Sequence, residues 1–154
     1  MITSQAELIA MLRMAVTAAF EEVVEQAYRE LQKHVLSDLY GAYYPTSYEG
    51  SATRNMGLID SWKREVRGLA AELKFEPSML PHDPENWVHG SQYDGGDTRE
   101  AIIDILQAGY GAFNYHSPHK IPARPFWDNF IKVCDAKMDK WILQALRRQG
   151  LVVF

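Results

Sequence analysis

Leu8, Met11, Leu12, Ala15, Ala19, Val23, Ala27, Leu31 and Val35 recur at spacings of three and four. That period lays one apolar stripe along a helix. Ser4 and Glu7 stand at its start in the spacing of a capping box, where hydroxyl and carboxylate satisfy opposite ends of the first turn. Glu21, Glu22, Glu25, Arg29, Glu30 and Lys33 fill much of the remaining surface with mixed charge, as a solvated face does. The pattern predicts a helix from Ser4 to about Tyr40, stopped by Gly41 and Pro45. At about 1.5 Å per residue it would exceed roughly 50 Å. A compact domain of this size does not cover such a length, so part of the stripe is expected to face a partner.

A second periodic segment closes the chain. Trp127, Phe130, Ile131, Cys134, Met138, Trp141, Ile142 and Ala145 follow a helical rhythm. Pro125 suits a first helical position, and Asp128 adds a carboxylate near the positive end of the dipole. Arg147 and Arg148 in the last turn, with Gly150 just beyond, form a stop signal. The tail at 151–154 is apolar and prone to strand, and is expected to dock on its own domain or add to a neighbour.

Between these segments the period is ambiguous. Leu58, Ile59, Trp62, Val66, Leu69, Ala70 and Leu73 fit a helix. Trp62, Arg64 and Val66, then Leu69, Ala71, Leu73 and Phe75, fit two alternating strands joined at Arg67-Gly68. Periodicity alone slightly favours the helix, because Arg64 falls on an inward strand position. Asp97 or Thr98 can cap a short helix over 99–107 ending at Gly109. Residues 81–84 and 110–125 read as loop.

Composition adds bounds. A chain of 154 residues is one domain of ordinary size, able to bury about 70% of its unfolded surface without a metal or disulfide. Its single cysteine, Cys134, cannot bridge internally. The opening Met1-Ile2-Thr3-Ser4 lacks the basic start of a signal peptide, and no apolar run approaches about 18 residues, so neither secretion nor membrane spanning is expected. With a net charge of −4 and Lys and Arg scattered, a tight grip on nucleic acid is disfavoured, although DNA can slide past such a surface.

Candidate chemistry is sparse. His116 and His119 flank Pro118, which prevents a helical ligand pair, and no matching partner follows. His82, Asp83, Glu85 and His89 form a polar cluster near Trp87 without the spacing that sets two ligands and a base on one helical face. Cys134 lies on an apolar stripe, where a small buried hydrophobe is the ordinary reading. No nucleophile elbow and no glycine-rich phosphate loop is present. Catalytic, cofactor and metal sites are therefore not expected. A small metal-dependent hydrolase using the loop histidines is the rival reading, and a soluble regulatory binding module is a third.

Aromatic residues carry more information. Trp62, Trp127 and Trp141 fall on apolar periods and are expected in the core. Tyr43, Tyr44, Tyr48, Tyr110 and Tyr115 fall in loop-like stretches. Exposed aromatics with a polar handle suit protein interfaces, against the plainer possibility that they pack under their own loops.

Three stretches bring a family into view. Residues 43–62, including Thr53-Arg54-Asn55-Met56-Gly57-Leu58-Ile59-Asp60-Ser61-Trp62, resemble the segment after the long first helix of siphophage neck and minor tail-component proteins. Residues 97–111 resemble their short central helix, and Arg124-Pro125-Phe126-Trp127 resembles the Arg-Pro-Phe motif that opens their C-terminal helix. The resemblance implies an α+β fold: a long N-terminal helix and a C-terminal helix packed on a small antiparallel sheet, with a short central helix and long loops. It makes 1–154 a single domain and 58–75 a β-hairpin. It implies head–tail joining or tail completion, with no enzymatic activity and no cofactor. The partners it implies are other copies of the chain in a ring and neighbouring neck, stopper or tail-terminator proteins. DNA would pass through the channel, and the location would be the virion after assembly in the host cytoplasm. On this reading Tyr43, Tyr44, Tyr48, Arg54, Tyr110, Tyr115 and Phe154 are interface residues, and Gly57, Leu58, Arg124, Pro125, Phe126 and Trp127 are structural.

Overall fold

The computed structural model describes residues 4–42, 57–80, 99–109 and 123–152. Their order is α1 (Gln5–His34), a π-helical turn (Val35–Tyr40), α2 (Gly57–Asp60), β1 (Trp62–Arg67), β2 (Ala70–Phe75), a 3-10 turn (Pro77–Met79), α3 (Ile102–Ala108) and α4 (Phe126–Arg148). The fold is α+β: a long N-terminal helix, a C-terminal helix, a two-stranded antiparallel sheet and short helices with loops.

The helix ends follow from local chemistry. Ser4 Oγ accepts from the Glu7 backbone N–H, and Glu7 Oε2 accepts from that of Ser4, both at 3.2 Å. The capping box is thus reciprocal. At the far end of α4, Gly150 takes φ 78° and the Leu151 N–H donates to the Leu146 carbonyl at 3.1 Å. This is the left-handed cap that glycine tolerates without a Cβ penalty. Pro125 stands one position before Phe126, and its carbonyl accepts from the Asn129 N–H at 2.9 Å.

The first helix reaches Tyr40 only by widening. After His34 the chain makes π turns, and Gly41 N–H closes the segment on the Leu36 carbonyl at 2.7 Å. A Cβ at Gly41 would lie 2.8 Å from the Ser37 carbonyl oxygen, so the position excludes a side chain for lack of room rather than for dihedral angle.

The ambiguous middle is a hairpin after a single helical turn. Its connection is Gly68-Leu69, with Gly68 at φ 61°, one residue later than the sequence pattern placed it. Leu69 lies in the turn at 68% exposure instead of facing inward. The two-residue connection sets Arg67 opposite Ala70 and therefore Trp62 opposite Phe75. The rings of that last pair lie 5.2 Å apart, in agreement. Lys63, Glu65, Arg67, Glu72 and Lys74 then share one face, as an alternating pattern requires. The short central helix begins at Ile102, three residues later than expected. Ala101 precedes it without a side-chain cap, and Gly109 ends it at φ 77°.

These elements contribute to two compact units. The first comprises Met1–Glu30, Lys63–Lys74 and Lys132–Phe154. Within it Arg148 pairs with Glu22, and Lys137 with Glu30 at 3.8 Å, so α4 runs antiparallel to α1. Arg64 reaches Glu25 at 2.8 Å and stacks 4.4 Å above the Tyr28 ring. Arg64 therefore sits on an inward strand position by laying its stem along the helix while its head stays half in water. The core of this unit includes Ala19, Val23, Val24, Ala27, Cys134, Trp141 and Ala145.

The second unit comprises Leu31–Trp62 and Phe75–Ile131. Leu31, Val35, Leu39, Leu58, Ile59, Trp62, Leu80, Phe126 and Phe130 are buried there. Trp62 stacks on Trp127 with centroids 5.2 Å apart and planes 14° from parallel, and Phe130 lies 5.2 Å from Trp127. The Trp62 indole N–H donates to the Leu58 carbonyl at 2.7 Å, satisfying its one polar atom.

Candidate functional site

Seven of the residues singled out as interface candidates, Tyr43, Tyr44, Tyr48, Arg54, Tyr110, Tyr115 and Phe154, lie outside the described residues. So do His82, His89, His116 and His119, the ligands of the rival reading. Among the described residues no group of three or more His, Cys, Asp or Glu side chains is placed to hold a metal ion. Among the same residues no helix is long and apolar enough to cross a membrane.

Of the structural residues, Gly57, Leu58, Arg124 and Phe126 are buried in the second unit, Trp127 is half-buried and Pro125 is exposed. Gly57 and Leu58 open α2 and are buried, and the Gly57 carbonyl accepts from Ser61 Oγ at 2.5 Å. Ser61 in turn offers its carbonyl to the Glu76 N–H at 2.8 Å, closing the base of the hairpin. Phe126 is 0% exposed and Arg124 is 7% exposed. The Arg124 backbone N–H donates to the Leu106 carbonyl at 2.9 Å, tying the entry of α4 to the end of α3. The Arg-Pro-Phe motif is therefore an anchor: a fixed turn, a buried ring and a buried guanidinium at one helix start.

One polar cluster was not singled out by sequence. The Asp38 carboxylate, on the π turn, meets His34 Nδ1 at 2.8 Å, accepts from Asn129 Nδ2 at 3.0 Å and accepts from Ser37 Oγ at 2.5 Å. Partial burial pushes this carboxyl up, but hydrogen bonds from Ser37, Asn129 and His34, with the charge of His34, outweigh it and hold Asp38 below its ordinary value. His34 and Asp38 are four apart, a helical spacing readable from sequence, but Asn129 is 91 residues away. The serine hydroxyl points to the carboxylate rather than to the imidazole, so the trio lacks the nucleophile–base contact of a hydrolase.

Cys134 is likewise unsuited to attack. Its thiol is buried, and burial, with the nearby acids Asp135 and Glu30, pushes its pKa up to about 11 against a smaller opposing effect of Lys137. A thiol held protonated is a poor nucleophile at neutral pH.

The start of α1 presents apolar surface. Leu8, Ile9, Met11, Leu12 and Met14 are 41–73% exposed, and every residue from 4 to 14 is exposed. The same stripe is buried from Ala19 onward, where Ala19, Val23, Ala27, Leu31 and Val35 are 0–6% exposed. Among the described residues, the first three turns of α1 thus carry core-type side chains that stay exposed.

Comparison with known proteins gives a family match. The family model of YomN covers residues 4–149, nearly the whole chain. The chain belongs to the YomN family. YomN is a Bacillus phage-encoded protein, and membership of its family suggests a phage-associated protein. No curated protein and no solved structure matches it.

Proposed function

We propose that this YomN-family chain is a structural virion-assembly protein of a tailed phage, acting in the head–tail connector or tail-completion complex through protein–protein contacts. The observation that carries the reading is the exposed apolar start of α1, in a chain whose family is phage-associated. Contiguous exposed apolar surface of a few hundred Å2 marks an interaction site. Five side chains from Leu8 to Met14 supply surface on that order. The reading extends to a ring of copies that contacts neck, stopper or tail-terminator proteins. A net charge of −4 suits a wall that DNA passes without adhering.

A stop codon placed early in the reading frame of a phage carrying this chain tests the proposal. Electron microscopy of the lysate is expected to show filled heads and tails that fail to join, or unfinished tails. Complementation in trans should restore infectious particles. Normal particles at normal titre from the disrupted phage overturn it.

A further inference from the structure

We infer that the π turn at Val35–Tyr40 is an exit from α1 with two registers, a wide one held by Asn129 of α4 and an α-helical one adopted when that hold is lost. The local sequence gives no cause for the widening. Residues 35–40 include neither proline nor glycine, so an α-helix can continue through them. π turns are rare insertions within α-helices. Here the selecting contact comes from the far end of the chain.

Asn129 Nδ2 donates to Asp38 Oδ2 at 3.0 Å, across 91 residues of chain. The same carboxylate meets His34 Nδ1 at 2.8 Å and accepts from Ser37 Oγ at 2.5 Å. Those two contacts are local: residues four apart are neighbours on an α-helix as well, so they do not select the wide register. Asn129 is the polar contact that ties the turn to another element. Leu39, 3% exposed in the wide register, adds its burial to that hold.

The α-helical register lies close by. Gly41 N–H donates to the Leu36 carbonyl at 2.7 Å, whereas an α-helix would offer it the Ser37 carbonyl. A Cβ at Gly41 would stand 2.8 Å from that Ser37 oxygen and 3.1 Å from the Leu36 oxygen, so both acceptors are within reach of residue 41. The same crowding makes glycine a condition of the wide register. An alanine there collides with the Ser37 carbonyl, while an α-helix accepts alanine without strain. Exchanging one acceptor for the other takes up one residue. It turns Gly41 and Ala42 by about 100° and moves them about 1.5 Å along the axis. The direction in which the chain leaves α1 thus follows the Asp38–Asn129 hydrogen bond.

The test is NMR of the isotopically labelled full chain, where nitrogen–carbonyl couplings through hydrogen bonds identify the carbonyl that accepts from Gly41. Circular dichroism of each variant checks that the helices remain. The wild type is expected to couple Gly41 to Leu36. Asn129→Ala and Asn129→Asp should move the coupling to Ser37, changing the ratio of the two registers by about tenfold or more, the scale of a hydrogen bond to a charged group. Asn129→Asp keeps the side-chain volume and sets a second carboxylate against Asp38, which separates a lost contact from a packing defect. Gly41→Ala should move the coupling in the same direction by crowding alone. Asp128→Asn, at an exposed neighbouring position on α4, should leave it on Leu36. If both Asn129 variants keep the Leu36 coupling, Leu39 holds the wide register without the α4 amide and the inference fails. It fails equally if Asp128→Asn changes the register as much as Asn129→Asp. A wild type coupled to Ser37 removes the π turn itself.

Discussion

Truncating Phe126 to alanine is expected to cost about 3–5 kcal/mol of stability. Its ring is 0% exposed at the first turn of α4, beside buried Arg124 and one turn before buried Phe130. Removing it deletes the buried surface and leaves a cavity, because Pro125 fixes the backbone that would otherwise close over the gap. For a chain of this size the melting temperature should fall by roughly 10 °C. Phe126→Leu, which keeps most of the volume, should cost about 1.5 kcal/mol or less. If alanine and leucine behave alike, with only a small loss, Phe126 is not the anchor described here.

Replacing Asp38 by alanine is the second large effect. The carboxylate accepts from Asn129 and Ser37 and meets His34, so its removal strips three partners at one part-buried point. With 24% of the side chain exposed, the loss is expected to be about 2 kcal/mol at neutral pH, or roughly 6 °C in melting temperature. The direction of the pKa shift adds a second readout. The folded protein holds Asp38 below its unfolded value of about 3.9. Its stabilisation is therefore fully present above that pH and is lost as pH falls through the lower folded value. The gap in melting temperature between wild type and Asp38→Ala should be wide at pH 7 and narrow towards pH 3. A gap that does not change with pH contradicts the charged cluster.

The sequence carried the elements whose causes are local. Ser4 with Glu7, and Gly150 after Arg147-Arg148, each specify a helix end within a few residues, and both ends stand where their chemistry puts them. The hairpin was undecided because Trp62, Val66 and Leu73 satisfy both periods. What separates them is Arg64, whose inward position is acceptable only when Glu25 and Tyr28, some 40 residues away, receive it. Family resemblance supplied that answer where periodicity leaned the other way. The π widening at Val35–Tyr40 left no mark in the apolar pattern, since Leu31, Val35 and Leu39 are spaced as a helix needs in either geometry. The Asp38 cluster was invisible for a related reason: its decisive partner, Asn129, comes from the opposite end of the chain.

The surface of α1 was half legible. A helix too long to be covered by its own domain was expected to show part of its stripe, and the exposed part is the first three turns. Sequence did not say which part, because within the first unit the groups that meet α1, Arg64 and Gly68 of the hairpin and Lys137 and Arg148 of α4, lie far along the chain from it.

Counting the copies of this chain in purified phage particles by quantitative mass spectrometry tests the virion role most directly. The account predicts a fixed small copy number, equal in every preparation and resistant to washing at high salt. A chain found only in the soluble fraction of the lysate, absent from infectious particles and from joined head–tail intermediates, would contradict it.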